Sequence, residues 1–195
     1  MNAIIDISGV TLKTKRLTLR PFKKSDAADL FEYASVPGVG EAAGWNRHEN
    51  LDETHFVLDK FIEEKRVFAV EYNNKVIGSV GLERFAEESY PELKSMKGTE
   101  IGYAFSKNFW GLGLATEAVN EVIALLFEKY GLDFVLAGYF KENLRSARVQ
   151  QKTGFQYLKT LPRLTAWGEE KQTVMNVLFK RAYLDKKTVV TLSKA

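Results

Sequence analysis

The chain has 195 residues, 45% of them hydrophobic, with a formal net charge of +3, which predicts one globular domain with a sizeable core. It has no Cys and only two His, so disulfides, thiolate metal sites and a Cys nucleophile are excluded, and no metal site is expected. No apolar run approaches the roughly 18 residues of a membrane span, no secretory signal is visible, and the mild charge implies no nucleic-acid partner, so we expect a cytoplasmic protein.

The spacing of apolar residues predicts alternating strands and helices along the whole chain. Strands are predicted at residues 11–22, 67–71, 75–85, 100–105, 134–140, 155–161 and 173–179. Helices are predicted after the N-cap residues Ser25 and Asn50, after a Gly-x-Gly turn at Gly111, and after the N-cap residue Asn143. From Arg181 the chain is basic, and we expect residues 181–195 to form a frayed tail of a single domain spanning residues 1–195. The order of elements predicts a mixed sheet with helices on both faces, in which antiparallel hairpins precede a parallel βαβ unit.

Three connecting segments carry features that could matter for function. In the loop of residues 36–49, Trp45 is expected either to pack in the core or to form a substrate wall, and His48 to be a solvated loop residue or a catalyst. Asn73-Asn74 predicts a hairpin turn, because Asn tolerates positive φ. The charged segment of residues 87–97 reads as a loop with a solvated face.

Residues 108–116 (Asn-Phe-Trp-Gly-Leu-Gly-Leu-Ala-Thr) carry the strongest local signal. They follow the predicted strand of residues 100–105 and open the longest amphipathic helix. Gly111 and Gly113 can take positive φ and let a ligand approach the backbone, while the first amides of the helix have no intrahelical partner. Such a turn predicts an anion site, most plausibly for a pyrophosphate, although Gly-x-Gly alone also fits a plain turn.

Three stretches add specificity to this signal. They are residues 17–21 (Leu-Thr-Leu-Arg-Pro), residues 101–103 (Ile-Gly-Tyr) followed by 109–118 (Phe-Trp-Gly-Leu-Gly-Leu-Ala-Thr-Glu-Ala), and residues 143–155 (Asn-x-x-Ser-x-x-Val-x-x-Lys-x-Gly-Phe). Together they resemble the GNAT superfamily of acetyl-CoA-dependent N-acetyltransferases, in its ribosomal-protein-alanine acetyltransferase (RimJ/RimL-like) branch. The resemblance implies an α/β (α+β) GNAT fold with a mixed, mostly antiparallel sheet of about seven strands, splayed between strands 4 and 5.

The resemblance also implies a cofactor and a site. Acetyl-CoA would be the co-substrate, with no metal, and its pantetheine would lie in the gap between the splayed strands. Its diphosphate would sit on the amides of Gly111 through Thr116. The cofactor-binding residues implied in this way are Tyr103, Ala104, Phe105, Ser106, Trp110, Gly111, Leu112, Gly113, Leu114, Ala115, Thr116, Asn143 and Ser146.

Direct transfer of the acetyl group to an amine would need a base and an acid. Glu100 is the expected base, with a solvated strand-end carboxylate as the alternative reading. Many members of the superfamily carry a Tyr that protonates the leaving thiolate, but Gln150 occupies that position here, so Ser146 or a water would have to replace it. A main-chain amide near Ala104 or Phe105 would stabilise the oxyanion. Trp45, His48 and Glu83 are expected to form the acceptor wall.

The sequence leaves the acceptor open between a protein N-terminal α-amino group, which the resemblance favours, and a small amine such as a polyamine or an aminoglycoside. A non-catalytic acyl-CoA-binding module is a further alternative, because of Gln150. The chain lacks the strip of aromatic and basic residues that a nucleic-acid-binding surface needs, which argues against a basic nucleic-acid binder. The sequence gives no oligomeric state and leaves a homodimer open.

Overall fold

The computed structural model describes residues 1–192, and within them eight strands form one sheet. The strands are β1 (Leu12–Lys13), β2 (Thr18–Pro21), β3 (Val67–Tyr72), β4 (Lys75–Glu83), β5 (Gly98–Phe105), β6 (Phe134–Phe140), β7 (Gln156–Leu164) and β8 (Glu170–Phe179). Their order across the sheet is β1-β2-β3-β4-β5-β6-β8-β7. Among these strands β5 and β6 pair in parallel and the other neighbours pair antiparallel, which confirms the predicted mixed, mostly antiparallel sheet with one strand more than expected.

Within residues 1–192, five helices cover both faces of the sheet, one more than the four that the sequence predicted. They are α1 (Ala27–Ala34), α2 (Leu51–Glu64), α3 (Leu114–Glu128), α4 (Leu144–Thr153) and α5 (Lys180–Leu192). The first two pack with β3 and β4 on one face, while α3 and α5 pack on the other face with α4 beside α3. Within residues 1–192, no helix combines the length and the apolar character needed to cross a bilayer.

Several local signals in the sequence are confirmed. Asn50 caps α2 by accepting a hydrogen bond from the amide of Glu53 at 2.9 Å, and Asn143 caps α4 by accepting from the amide of Ser146 at 3.1 Å. The turn between β3 and β4 has φ values of 50° at Asn73 and 61° at Asn74. In each case an Asn side chain either accepts a hydrogen bond from an amide a few residues away or tolerates the positive φ that the turn needs, so the signal is local in sequence.

Two predictions near the N-terminus were wrong. Residues 11–22 form a hairpin, in which Leu12 pairs with Leu19, because the amide of Thr14 bonds the carbonyl of Leu17 at 2.9 Å and reverses the chain. Ser25 does not cap α1 and lies in a short 3-10 turn of residues 24–26. There the Asp26 carboxylate is held by the guanidinium of Arg20, at 2.8 and 3.0 Å.

Two predictions near the C-terminus also need correction. The strand expected to end before Pro162 continues to Leu164, because β7 lies at the edge of the sheet, where a missing amide proton is tolerated. The tail expected to fray from Arg181 begins as helix α5 and packs Tyr183 against Phe127, with ring centroids 5.1 Å apart. Residues 193–195 of that predicted tail lie outside the described residues.

The predicted splay lies between β5 and β6, which are the fifth and sixth strands because residues 11–22 supply two. Their pairing runs from Gly98 with Phe134 to Ile101 with Ala137 and then stops. Both strands continue, to Phe105 and to Phe140. The sheet therefore opens beyond Ile101, and the last four residues of β5 face a gap on that side.

Candidate active site

A continuous cavity of about 780 Å³ lies at the opening between β5 and β6. It is lined by parts of β4 and β5, by the turn before α3, by α4 and by the segment of residues 39–45. The predicted site residues that line it are Trp45, Glu83, Glu100, Tyr103, Ala104, Phe105, Trp110, Gly111, Gly113, Leu114, Ala115, Thr116, Asn143 and Ser146. The structure does not bring His48, Ser106 or Leu112 to its lining.

One end of the cavity, the glycine-turn end, is formed by the segment from Trp110 to Thr116. Gly111 has φ 81° and Gly113 has φ 77°, and Trp110 ties the turn to β5 by donating from Nε1 to the carbonyl of Phe105 at 2.8 Å. A Cβ atom on Gly111 would meet nothing within 4 Å, so this glycine is needed for its backbone conformation and not for space. Since α3 begins at Leu114, its first amides have no intrahelical partners, and Leu114, Ala115 and Thr116 line the cavity, so this helix start can bind an anion.

Cationic side chains surround the glycine-turn end. The Arg145 guanidinium lies over the Trp110 ring, 4.1 Å from its centroid, and Arg148 and Lys152 also line the cavity. The sequence reasoning missed these three residues, although their i, i+3, i+7 spacing on a helix that starts at Asn143 was a readable signal. They add positive potential to an end that already presents helix amides.

The opposite end, the carboxylate end, is formed by Gly81, Glu83, Glu100 and Gly102. Glu100 is 7% exposed, and Arg163 from β7 donates from Nη1 to Oε1 and from Nη2 to Oε2, each at 2.6 Å. Both carboxylate oxygens are therefore engaged in a bidentate ion pair. This pairing argues against the predicted role of Glu100 as a base, and the pair instead fixes β7 against β5.

Glu83 is directly opposite Glu100 across β4 and β5, and its carboxylate faces the cavity. Among the described residues, no cation lies within ion-pair distance of it. The Glu83 side chain is exposed to the open cavity, but the protein packed around it partly desolvates the carboxylate and raises its pKa above the ordinary value; the nearby Glu64 carboxylate adds to this, and Arg66 opposes it. A Cβ atom on Gly81 would lie 2.5 Å from Glu83 Oε1, so Gly81 leaves the space in which this carboxylate sits.

A tyrosine hydroxyl lies beside Ser146 even though Gln150 occupies the position where the superfamily often has one. The Tyr103 hydroxyl is 2.8 Å from Ser146 Oγ. Burial raises the pKa of the Tyr103 phenol, and hydrogen bonding with Ser146 and Gln150 only partly opposes this, so the group holds its proton at neutral pH. Gln150 is fully buried, donates to the carbonyl of Gly138 at 3.2 Å and accepts from Asn176 at 2.9 Å, which is a structural role.

The loop of residues 36–49 forms the roof of the cavity. Trp45 is half-buried and lines the cavity, and its ring needs Gly40 beneath it, since a Cβ atom there would lie 2.5 Å from the ring. His48 lies behind Trp45, 5% exposed, with Nδ1 2.9 Å from Thr54 Oγ1, and burial lowers its pKa. The expectation of a solvated or catalytic His48 is therefore wrong, and this residue supports the roof from the core.

Asn143 also supports this roof. Its Oδ1 caps α4, and its Nδ2 donates to the carbonyl of Ala42 at 3.1 Å. The side chain therefore connects α4 to the roof. In the described part of the chain, no group of three or more His, Asp or Glu side chains is placed to hold a metal ion.

A sheet that opens between two parallel strands, with a glycine turn and a helix start beside the opening, is compatible with an acyltransferase that uses a coenzyme thioester. The family profile "Acetyltransferase (GNAT) domain" matches residues 16–156, and the chain belongs to this family. Enzymes of the GNAT family are acyltransferases that use acetyl-CoA as co-substrate. The chain is thus a GNAT N-acetyltransferase.

Known proteins agree with this assignment. The chain is 28% identical over 152 residues, 74% of its own length and 82% of the relative, to the uncharacterized N-acetyltransferase YoaA of Bacillus subtilis. In fold it resembles ribosomal-protein-S5-alanine acetyltransferase from Vibrio fischeri, with a TM-score of 0.69, 20% identity, and coverage of 88% of this chain and 97% of that one. It also resembles the microcin C7 self-immunity acetyltransferase MccE in complex with acetyl-CoA and AMP, with a TM-score of 0.71, 15% identity, and coverage of 85% and 93%.

Proposed function

We propose that this protein transfers the acetyl group of acetyl-CoA to a primary amine, with the coenzyme at the glycine-turn end and the amine at the carboxylate end. The observation that carries the proposal is the single cavity that joins these two ends through the opening between β5 and β6. A cavity of about 780 Å³ is in the size range of sites for small substrates and cofactors. The acetyl-CoA complex of the structural neighbour MccE supports the choice of coenzyme.

In this proposal the diphosphate lies on the amides of Gly111 through Thr116 and the pantetheine runs along the free edge of β5. The edge is shorter than the sequence suggested, because the amide of Ser106 already bonds the carbonyl of Ile77 at 2.8 Å. Leu112 contributes backbone to the turn, and its carbonyl accepts from Arg16 at 2.9 Å. Asn143 shapes the cavity wall, because both atoms of its amide are already engaged.

The chemistry proceeds by direct attack of the amine on the thioester carbonyl. An amine attacks only when deprotonated, so an α-amino group with a pKa of about 8 needs less help at neutral pH than a lysine amine with a pKa of about 10.4. Glu83 takes the proton, directly or through one water, as the C–N bond forms. A main-chain amide near Ala104 or Phe105 stabilises the oxyanion. The C–S bond then breaks, and the thiolate takes a proton from the Ser146 hydroxyl while the Tyr103 hydroxyl passes its own proton to Ser146 and is reprotonated from solvent.

Two acceptor classes fit this chemistry. A protein N-terminus is supported by the resemblance to ribosomal-protein acetyltransferases and by the fold of the Vibrio fischeri enzyme. A small amine is supported by contacts that hold the loop of residues 36–49, part of which lines the cavity. The amide of Ala166, in the turn between β7 and β8, donates to the carbonyl of Gly44 in this loop at 2.9 Å. An N-terminal peptide needs an open groove, and a loop held in this way is less free to open one, so we favour the small amine.

The release of coenzyme A thiol from acetyl-CoA, measured with a panel of peptides and free amines, tests the proposed function. We expect amine-dependent release by the wild-type protein and little release by the Glu83→Gln variant. Binding of coenzyme A without release in the presence of any amine would indicate a non-catalytic acyl-CoA-binding module. Absence of coenzyme binding by the folded protein would contradict the proposal altogether.

A further inference from the structure

We propose that the carboxylate end of the cavity is a binding pocket for a small primary amine that carries an apolar body and no carboxylate group, with its amino group at Glu83. This proposal rests on the proposed function and names the acceptor class. It is carried by four features of the pocket, namely its floor, its walls, its charges and its roof.

The floor is a shallow trough in the sheet. Gly81 on β4 and Gly102 on β5 are directly paired, and they lie between the pair Ser79 and Ala104 on one side and Glu83 with Glu100 on the other. Gly102 is exposed to the cavity, and a Cβ atom on it would meet nothing within 4 Å. Its φ lies outside the positive region, so the missing side chain creates space there and is not required by the backbone.

The walls of this pocket are apolar and aromatic. They come from the loop before Trp45, from α2 and from β3, and their members are Val39, Ala42, Ala43, Trp45, Phe61 and Val67. Apolar walls stabilise an apolar ligand by about 25 cal/mol for each Å² of its surface that they cover. Apart from the indole N–H of Trp45, their side chains offer no hydrogen-bond partners to a sugar, and they offer no acceptor side chain to the distal ammonium groups of a polyamine, which would lose hydration without compensation.

The charges of the pocket allow one cation and disfavour an anion. Glu83 has no ion-pair partner among the described residues, whereas Arg163 is bound through both terminal nitrogens to Glu100. A carboxylate on the acceptor would therefore find the Arg163 guanidinium occupied and would face the Glu83 and Glu100 carboxylates, with Arg66 as a nearby cation that acts on Glu83. An amine without a carboxylate avoids this repulsion and keeps the attraction of Glu83.

The roof limits the length of the acceptor. The carbonyl of Ala42 is held by Asn143 and the carbonyl of Gly44 by the amide of Ala166, so the loop of residues 36–49 is tied to α4 and to the turn between β7 and β8. The ring of Phe140 lies beneath Gly44, 3.1 Å from where a Cβ atom on it would be. The loop that lines the cavity is therefore held on two sides, and an acceptor that extends toward it meets a fixed wall, which favours a ligand of one ring and a short chain over a polypeptide.

A matched panel of acceptors tests this inference through kcat/KM for thiol release. The panel consists of 2-phenylethylamine, phenylalanine as the same body with a carboxylate, spermidine as a polyamine, and a hexapeptide beginning with alanine. We expect kcat/KM for 2-phenylethylamine to exceed that for each other acceptor by about a hundredfold. Each of the others would place a charged group or a peptide chain in the pocket without a compensating contact.

Substitution of Gly102 gives the second arm of the test. Gly102→Val fills the trough with a residue that is favourable in a strand, so kcat/KM for 2-phenylethylamine should fall at least about tenfold. Gly102→Ala fills less of the trough and should lower the same kcat/KM by a smaller factor. The Kd for coenzyme A, which should change less than about twofold, verifies that each variant is folded and that the glycine-turn end is intact.

The outcomes separate this inference from the proposed function. Faster turnover of the peptide, of spermidine or of phenylalanine than of 2-phenylethylamine would overturn the inferred acceptor class and leave the transferase activity standing. Unchanged turnover of 2-phenylethylamine by Gly102→Val would show that the acceptor lies elsewhere in the cavity, which also overturns the inference. If none of the four is acetylated while coenzyme A binds, the inference is overturned, and the wider panel of peptides and free amines decides whether the proposed function fails as well.

Discussion

The glycine-turn end of the cavity is built from consecutive residues, Trp110 to Thr116, whereas the carboxylate end is assembled from β4, β5, β7 and the loop of residues 36–49. At the first end the backbone provides the binding groups, and positive φ at two glycines sets their direction. At the second end side chains from distant parts of the chain decide which carboxylate is free. Chemistry made by local backbone is therefore visible in the sequence, and chemistry made by long-range pairing is not.

The largest expected effect distinguishes the two carboxylates. Glu83→Gln should lower kcat/KM by about a hundredfold to ten-thousandfold, the usual contribution of a general base, with little change in the Kd for coenzyme A. Steady-state thiol release and calorimetry measure the two quantities.

Glu100→Gln is the matched control, at the residue opposite Glu83. It removes one charge of the pair with Arg163, which should cost about 2 kcal/mol of the free energy of unfolding because Arg163 remains partly solvated. Its activity per folded molecule should stay much closer to that of the wild type. The reverse ranking of the two variants would restore Glu100 as the base.

The next effect concerns the glycine-turn end. Gly113→Val places a β-branched residue at φ 77°, which costs about 1–2 kcal/mol in strain or moves the amides away from the ligand. The Kd for coenzyme A should rise by about tenfold to a hundredfold when the contacts of those amides are lost.

Gly131→Val is the control for backbone strain, because Gly131 also has positive φ, 64°, with open space around its Cβ position, but lies near the other end of α3. It should lower stability by a similar amount and leave the Kd for coenzyme A unchanged. Equal losses of affinity in both variants would mean that strain and not the turn explains the result.

A smaller effect tests the hydroxyl pair between the two ends. Tyr103→Phe should lower kcat by about tenfold and leave the Kd for coenzyme A unchanged, because the ring keeps its packing while Ser146 loses its partner. Ser146→Ala should lower kcat further. If kcat of Tyr103→Phe equals that of the wild type across the pH range, a water and not this hydroxyl pair protonates the thiolate.

The smallest effect is the pH dependence of stability at Glu83. Because its pKa is raised in the folded state, the unfolded chain releases this proton first, so the Glu83 contribution to stability falls as pH rises above the ordinary glutamate value. Glu83→Gln should therefore have a slightly higher Tm than the wild type at neutral pH, and the difference should vanish in acid. A lower Tm at neutral pH would show that the charged carboxylate is stabilised in the fold.

The sequence predicted the features that depend on neighbouring residues. The caps at Asn50 and Asn143 and the turn at Asn73-Asn74 each need only a few residues, and the splayed strands followed from the resemblance. The sequence does not reveal the hairpin at residues 11–22, because the alternation of apolar and polar residues continues through its turn and is that of one strand. Helix α5 was missed because its contact between Tyr183 and Phe127 spans more than fifty residues.

The site shows the same limit. The sequence suggests Glu100 as the base because nothing near it in sequence reveals Arg163, which reaches it from β7. The sequence indicates only a cofactor contact for Tyr103, because its approach to Ser146 depends on how α4 lies across the end of β5. His48 read as a loop residue because its burial comes from Thr54 and Trp45 packing around it.

The most direct test of the central claim is a crystal structure of the wild-type protein with coenzyme A bound. We predict that the diphosphate oxygens lie within about 3 Å of the backbone nitrogens between Gly111 and Thr116 and that the thiol end points along β5 toward Glu83. Density for the coenzyme held only by Arg145 and Arg148 on the surface, with those nitrogens left free, would contradict the account.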